Sequence, residues 1–185
     1  MKFDEAYKLV GLAEGKWTDD PDDKGGMTAC GIARNANPNS KIWEFIDRYL
    51  ERGKTLAETE KICRADPHFM SLVQGTYKGK YWDSCKCDEL PNLWRYPVFS
   101  CSVNCGSRVA VQILQKCINV ESDGIYGGKT TRAVRIYDKK EKDFVDDFCE
   151  IWSKYYDRIV EKNPSQKKYI NGWKNRIANV IKDNH

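Results

Sequence analysis

The chain has 185 residues, of which 41% are hydrophobic and 31% are charged, and its formal net charge is +4. A chain of this length forms one domain or two closely packed lobes around an apolar core. The basic excess is small and interleaved with acidic residues, so it favours contact with an anionic polymer and argues against nucleic-acid binding. No apolar run is long enough to span a membrane, and the first residues lack the apolar region of a signal peptide. We therefore expect synthesis in the cytoplasm and no membrane insertion.

The first residues predict an amphipathic helix over residues 3–14. Its apolar stripe recurs at helical spacing and consists of Phe3, Ala6, Tyr7, Val10 and Ala13. Glu14 falls on the same stripe, directly before Gly15, a residue type that commonly ends helices. An apolar setting keeps a carboxyl group protonated near neutral pH, because burial penalises its charged form. Glu14 is therefore a candidate acid, and the alternative is a helix-end side chain that points to solvent.

Residues 17–31 predict a polar loop with a short strand near each end, because Asp-Pro and Gly-Gly pairs interrupt regular structure. Further helices are predicted over residues 41–52, 55–63, 66–82, 97–105, 108–117, 130–137, 143–160 and 168–182. Thr55 and Glu58 match a capping box, and Asp66 and Pro67 match an N-cap followed by a first-turn proline. The sequence therefore predicts a mainly α fold.

The chain contains eight cysteines, an even number that permits complete disulfide pairing without revealing which thiols pair. They are Cys30, Cys63, Cys85, Cys87, Cys101, Cys105, Cys117 and Cys149. The motifs Cys85-x-Cys87 and Cys101-x3-Cys105 also offer thiols for zinc, although their spacing differs from that of a zinc knuckle. The sequence therefore leaves three states of the cysteines open, namely free buried thiols, disulfides and a zinc site.

The chain contains only two histidines, His68 and His185. A zinc amidase requires several histidine ligands, and a serine or cysteine hydrolase would depend on His68, which lies at a polar helix start. The sequence lacks the glycine-rich phosphate-binding motifs that indicate a nucleotide enzyme. The class of enzyme that remains is a hydrolase that uses carboxyl groups. Breaking a glycosidic bond requires one acid and a second group that stabilises the transition state or positions water. The loop after Glu14 supplies candidate partners, namely Asp19, Asp20, Asp22 and Asp23.

Short motifs follow one another along nearly the whole chain. They are EGKW at 14–17, PDDKGGMT at 21–28, GI at 31–32, YWD at 81–83, VNCG at 103–106, LQ at 114–115, DGIYGGKT at 123–130 and GWKNR at 172–176. In this order they resemble the motifs of the family 108 glycoside hydrolases, which are muramidases of bacteriophages and bacteria. The chain departs from the family pattern at Lys16, Lys24 and Ser100, where the family prefers Gly, Pro and Asp.

The resemblance implies a lysozyme-like helical fold with a small active-site region of loop and short strands. Residues 1–92 would form the catalytic lobe, and residues 93–185 a closely packed, peptidoglycan-binding-like helical lobe. Glu14 is the catalytic acid by this resemblance. The spacing of Glu14, Asp23 and Thr28 also resembles that of the phage-type lysozymes, which implies that Asp23 and Thr28 hold the hydrolytic water. The implied reaction hydrolyses the β-1,4 bond between N-acetylmuramic acid and N-acetylglucosamine in bacterial peptidoglycan.

Further expectations concern the substrate contacts and the setting of the protein. The expected substrate-binding residues are Lys16, Trp17, Gly26 and Asn104. We expect no metal and no cofactor, a monomer, peptidoglycan as the partner and no nucleic acid. The resemblance implies a phage endolysin that is released from the cytoplasm through a membrane pore and then acts on the cell wall. A secreted bacterial muramidase is the alternative setting.

Structural roles compete with several of these functional ones. Asp23 also fits an Asx turn that shapes the loop, and the Thr28 hydroxyl also fits a contact with the local backbone. The turn at 121–130 either contacts the wall or is purely structural. A non-catalytic cell-wall-binding or secretion-accessory protein of the same fold is the alternative function, and a thiol peptidase is a third.

Overall fold

The computed structural model describes residues 1–11, 15, 17–20, 23, 25–138 and 140–184. Its α-helices are α1 (Phe3–Val10), α2 (Ile42–Leu50), α3 (Leu56–Ala65), α4 (Pro67–Tyr77), α5 (Arg95–Cys105), α6 (Ser107–Cys117), α7 (Gly128–Ile136), α8 (Glu141–Lys162) and α9 (Ile170–Asn184). Two short strands, β1 (Thr28–Ala29) and β2 (Ile32–Ala33), form an antiparallel hairpin. The predicted mainly α fold is confirmed.

The chain divides into two compact units. One, the small unit, is Val10–Lys78, and the other, the large unit, combines Met1–Leu9 with Gly79–His185. The predicted lobes, residues 1–92 and 93–185, have a different boundary from these units and stay a prediction about domain organisation.

The small unit has an apolar core between α2 and α4. Helix α2 buries Trp43 and Ile46, and α4 buries Phe69 and Val73. Phe45 of α2 adds a ring contact, because its centroid lies 5.4 Å from that of Phe69. Complete burial of one such apolar side chain contributes about 1.5–3 kcal/mol, so this core holds α2 and α4 together.

The starts of α3 and α4 are fixed by the caps that the sequence predicts. The Thr55 hydroxyl accepts a hydrogen bond from the Glu58 N–H at 3.3 Å, and the Glu58 carboxylate accepts one from the Thr55 N–H at 2.9 Å. The Asp66 carboxylate accepts hydrogen bonds from the His68 N–H at 2.7 Å and the Phe69 N–H at 3.2 Å. Each cap satisfies N–H groups that a helix start leaves without a backbone partner.

The predicted helix over 66–82 is interrupted in the structure. Helix α4 ends at Tyr77, and the chain continues as a π-helical segment, Lys78–Asp83. A π-helical turn contains more residues than an α-helical turn and therefore rotates the side chains that follow it. Trp82 is fully buried in the large unit, with its ring centroid 5.5 Å from those of Phe3 and Phe99.

Helix α5 is the most deeply buried part of the large unit. It contacts α6, α8 and α9, and it buries seven consecutive residues over 96–102. Just before it, the Trp94 ring stacks on Phe144 of α8 with a centroid distance of 3.6 Å. Gly106 has a φ of +86° and separates α5 from α6, which confirms the predicted break.

All eight cysteines lie in the described part of the chain as free thiols. Within that part, no group of three or more His, Cys, Asp or Glu side chains has the arrangement of a metal site. None of the described helices is both long and apolar enough to cross a membrane.

Candidate active site

The hairpin around Thr28 is paired along both edges. Thr28 pairs with Ala33 across the hairpin, and on its other side it forms a bridge with Thr18. The Thr18 N–H donates to the Thr28 carbonyl at 3.0 Å, and the Thr28 N–H donates to the Thr18 carbonyl at 2.8 Å. Backbone pairing on two sides fixes the direction of the partly exposed Thr28 side chain.

Gly15 lies against the turn of this hairpin. A Cβ atom at Gly15 would be 3.2 Å from the Gly31 nitrogen and 3.6 Å from the Cys30 carbonyl carbon. A glycine at this position therefore permits a closer backbone approach than any other residue would. The residue before Gly15, the predicted acid Glu14, and the one after it, the predicted substrate contact Lys16, both lie outside the described residues.

Arg64 of α3 holds the Gly15 backbone. Its Nη2 donates to the Gly15 carbonyl at 2.5 Å, and its Nε donates to the Glu60 carboxylate at 2.8 Å. The ion pair with Glu60 orients the guanidinium group, and the charge on that group strengthens its bond to the carbonyl. The chain segment next to Glu14 is thus attached to α3 as well as to the hairpin.

The hairpin turn itself is conformationally demanding. Cys30 and Gly31 both have positive φ, at +49° and +73°. The Tyr77 hydroxyl donates to the Cys30 carbonyl at 3.0 Å, which fixes the turn from α4. Burial raises the pKa of the Cys30 thiol, an effect that the Trp17 indole and the Arg64 charge partly oppose. A buried thiol with a raised pKa is a packing residue and a poor nucleophile.

Trp17 belongs to the core of the small unit in this structure. Only 6% of its surface is exposed, and its ring centroid lies 5.7 Å from that of Phe69. A sugar ring requires an exposed aromatic face for stacking. The Trp17 ring is packed against protein in this structure, and its predicted contact with substrate stays a prediction.

Asp23 forms an Asx turn with an exposed side chain. Its Oδ1 accepts a hydrogen bond from the Gly25 N–H at 2.8 Å, and its carbonyl accepts one from the Gly26 N–H at 2.9 Å. The structure therefore contains the Asx turn that the sequence analysis gave as the alternative role of Asp23. The turn occupies one carboxylate oxygen, and a water-positioning role for this carboxylate stays a prediction.

Gly26 shapes the approach from Asp23 to Thr28. Its φ is +65°, and a Cβ atom there would lie 3.1 Å from side-chain atoms of Asn35. Both the conformation and the available space favour glycine. Its predicted contact with substrate stays a prediction.

Asn104 lies on α5 in the large unit and is exposed. Its Nδ2 donates to the Ser100 carbonyl, one helical turn earlier, at 2.6 Å. The structure thus brings Gly26 and Thr28 together in the small unit, whereas Asn104 belongs to the other unit. Arg64 was missed by the sequence analysis, since a basic residue on a charged helix face is usually only a solvated side chain.

Comparison with known families identifies this chain. The sequence model of the family described as glycosyl hydrolase 108 matches residues 7–106. The chain belongs to glycosyl hydrolase family 108. A second family, described as a predicted peptidoglycan domain, matches residues 109–178. The resemblance noted in the sequence is confirmed, and the protein is a glycoside hydrolase that acts on peptidoglycan.

Among solved structures, the chain is similar to one described as Brucella abortus SagA. The two share 24% sequence identity with a TM-score of 0.67, over 98% of this chain and 92% of that chain. A likeness at this identity shows a shared fold and carries no conclusion about activity. No curated protein matches the chain in sequence.

Proposed function

We propose that this family 108 hydrolase is an N-acetylmuramidase that cleaves the β-1,4 bond between N-acetylmuramic acid and N-acetylglucosamine. The observation that carries the proposal is the packing of Gly15 on the hairpin that begins at Thr28. This contact and the Arg64 bond fix the backbone next to Glu14. A general acid requires such preorganisation, because its proton must meet the leaving oxygen in one geometry.

In the proposed reaction, Glu14 protonates the glycosidic oxygen while Asp23 and Thr28 orient water toward the anomeric carbon. The Asx turn holds the Asp23 carboxylate at a defined place in the loop. A water molecule between acid and base requires their carboxyl groups to be about 6.5–9.5 Å apart and leads to inversion of the anomeric configuration. We propose inversion for this enzyme. The Asp23 carboxylate accepts a proton from the attacking water and then releases it to solvent, and Glu14 regains its proton from solvent.

The setting proposed for the enzyme is that of an endolysin, which meets the wall after release from the cytoplasm. The proposal is supported by the match to glycosyl hydrolase family 108 and by the predicted peptidoglycan domain that follows it along the chain. Peptidoglycan carries carboxylates, so the net charge of +4 favours association with it.

The test uses purified full-length protein, its Glu14→Gln variant and isolated peptidoglycan. The products are reduced and identified by mass spectrometry. Glu150→Gln is a matched control, because Glu150 is an exposed α8 residue that pairs with Lys154. We expect wild type and control to release glycans with reduced muramic acid ends, and Glu14→Gln to be slower by about 10²–10⁴-fold, the usual contribution of a general acid.

Each result separates the proposal from its rivals. New reduced N-acetylglucosamine ends would assign the other glycosidic bond, and new free amines would indicate a peptidase. Binding without any cleavage by the wild type would support a wall-binding protein. Equal cleavage by wild type and Glu14→Gln would remove Glu14 from the reaction.

A further inference from the structure

A groove lies in the large unit between α6 and α8, two helices that pack against each other. It contains two cavities, one of about 500 Å³ and one of about 370 Å³. Both are lined by Lys116 of α6 and Arg158 of α8, so the two cavities adjoin. Each volume lies within the range of about 300–1,000 Å³ that is usual for ligand sites. We call the two cavities together the α6–α8 groove.

The smaller cavity concentrates positive charge. Its lining includes three cations, Lys116, Arg158 and Lys162, and no acidic residue among those that the structure describes. Arg158 and Lys162 are four positions apart on α8, so their side chains are neighbours on one helix face. None of the three cations forms an ion pair with a described acidic residue. Like charges placed this close repel each other, so an anion bound among them would be stabilised.

The same cavity contains hydrogen-bond donors of defined direction. Arg158 Nε donates to the Lys154 carbonyl at 3.3 Å, which orients the guanidinium group along α8. Burial raises the pKa of Tyr155, with a contribution from nearby thiols, and the Arg158 charge partly opposes this effect. The Tyr155 hydroxyl therefore stays protonated at neutral pH. A guanidinium group presents a fork of N–H groups that matches a carboxylate, and a phenol adds one more donor.

The larger cavity has a different charge pattern. Two of its charged residues already have partners, since Lys154 pairs with Glu150, and Asp157 pairs with Lys174 at 2.7 Å. Glu161 also lines this cavity, and it forms no ion pair with a described residue. The α6–α8 groove therefore offers three cations in one cavity and an unpaired carboxylate in the adjoining one.

This pattern fits a short peptide better than it fits a polyanion. The stem peptides of peptidoglycan carry free carboxylates and, where the diamino acid is not cross-linked, an ammonium group. A phosphate polymer has no cation for Glu161 and no apolar groups for Ile151 and Ile159, the aliphatic residues that line the two cavities. All lining residues of the groove fall within 109–178, the segment that matches the predicted peptidoglycan domain.

We propose that the α6–α8 groove binds the stem peptide of peptidoglycan. A peptide carboxylate contacts Arg158 and Lys162, and the ammonium group of an uncross-linked diamino acid contacts Glu161. The proposal rests on peptidoglycan as the substrate of the proposed function and not on which of its bonds is cleaved. It gives the enzyme a preference for glycan chains whose peptides are neither amidated nor cross-linked.

The first measurement is a calorimetric titration of the full-length wild-type protein with a synthetic stem tetrapeptide that contains a diamino acid. A matched peptide has every carboxyl group amidated. We expect the free-acid peptide to bind at least about tenfold more tightly than the amidated one, and added salt to weaken its binding. Amide chemical shifts, measured by NMR during the titration, are expected to change on α6 and α8.

Two double variants with equal loss of charge locate the binding. Arg158→Gln with Lys162→Gln removes two charges from the groove, and we expect it to weaken binding of the free-acid peptide at least about tenfold. Lys142→Gln with Lys182→Gln removes two exposed charges elsewhere in the large unit, and we expect the Kd to stay within about twofold because solvent screens these charges. Lys162 lies in the last turn of α8, where a cation also stabilises the helix end, so melting temperatures verify that both variants are folded.

Glu161→Gln tests the other cavity. Acetylation of the side-chain amine of the diamino acid removes the cation that Glu161 binds in the proposal. We expect acetylation to weaken peptide binding to the wild type several-fold. It should leave binding to Glu161→Gln unchanged, since that variant has already lost the ion pair.

Four results would overturn the proposal. They are equal binding of the free-acid and amidated peptides, equal weakening by the two double variants, no peptide binding at millimolar concentration, and tighter binding of inorganic polyphosphate than of the peptide. The last result would assign the groove to a phosphate-bearing polymer. The peptide contains no glycosidic bond, so its binding is measured independently of the muramidase reaction. Intact glycan after incubation with a wild type that binds the peptide would contradict the proposed function and leave the groove assignment in place.

Discussion

The Asp23 carboxylate has one role in the structure of its loop and a second, proposed role in the reaction. Its Oδ1 accepts a hydrogen bond from the Gly25 N–H and so shapes the loop, while the proposed reaction requires the same group to orient water. An amide can replace the carboxylate in the first role, because its oxygen accepts the same hydrogen bond. An amide lacks the charge that the second role uses, so substitution separates the two roles.

We expect Asp23→Asn to keep the melting temperature of the wild type and to lose activity on peptidoglycan by at least about tenfold. Asp23→Ala should lower both the melting temperature and the activity, since it removes the hydrogen bond of the turn as well as the charge. Melting curves and product release from peptidoglycan measure the two effects. Full activity of Asp23→Asn would assign Asp23 to loop structure alone.

Arg64 holds the backbone of Gly15, the residue that follows the proposed acid Glu14. Lysine cannot reproduce the forked contact in which Nη2 reaches the Gly15 carbonyl and Nε reaches Glu60. We expect Arg64→Lys to cost about 1–2 kcal/mol of folding free energy and to lower kcat about tenfold, since a small displacement of a catalytic group slows the reaction strongly.

The exposed residue Arg52 supplies the matched control, because Arg52→Lys is the same chemical change elsewhere in the small unit. Melting temperature and kcat are measured for both variants. If Arg64→Lys were as active as Arg52→Lys, the Gly15 contact would have no part in positioning Glu14.

At the scale of elements, the turn between α6 and α7 is held from inside. Gln115 of α6 is buried, and its Oε1 accepts a hydrogen bond from the Gly124 N–H at 2.9 Å. Its Nε2 donates to Asp123 Oδ1 at 2.8 Å and to the Thr130 hydroxyl at 3.0 Å. The LQ and DGIYGGKT motifs are therefore two halves of one polar network, in which Gln115 and Thr130 are buried and Asp123 is exposed. These bonds give the turn a structural role, and contact between the turn and the cell wall stays a prediction.

Gly124 is the position in this turn where a side chain has no space. Its φ is +77°, and a Cβ atom would lie 2.5 Å from Arg108 Cγ and 2.9 Å from the Arg108 carbonyl oxygen. We expect Gly124→Ala to destabilise the protein by about 2–4 kcal/mol, from backbone strain and overpacking. Chemical denaturation measures this change.

Gly128 lies in the same motif and is the natural comparison. A Cβ atom there would meet nothing within 4 Å, and Gly128 is the first residue of α7. Alanine also lowers the entropy of the unfolded chain, so Gly128→Ala should be neutral or slightly stabilising. Similar losses for both variants would contradict a specific steric role for Gly124.

At the scale of the whole molecule, the family assignments and the compact units divide the chain differently. The glycosyl hydrolase match covers residues 7–106, whereas the small unit is Val10–Lys78. The catalytic family segment thus includes the small unit and also α5 of the large unit. Asn104 and Cys105 belong to this shared helix, so a change at α5 acts within both the hydrolase segment and the core of the large unit.

The sequence alone determined the features that depend on neighbouring residues. Thr55 with Glu58 and Asp66 with Pro67 cap helices through bonds that span two or three positions, so their side chains and spacing suffice to predict them. The break at Gly106 and the mainly α fold follow from equally local signals. Ordered motifs along the chain also sufficed to identify the family.

Only the tertiary structure decided which distant residues meet. Arg64 contacts Gly15 across 49 positions, and Cys105 meets Tyr156 across 51. Such contacts depend on how helices pack, and the same residue types elsewhere are ordinary surface cations or buried thiols. The burial of Trp17 on Phe69 is of the same kind, since an aromatic residue in a polar loop has no local signal that separates a core ring from an exposed one. Local chemistry therefore fixed the elements, and long-range packing fixed the environment of each reactive group.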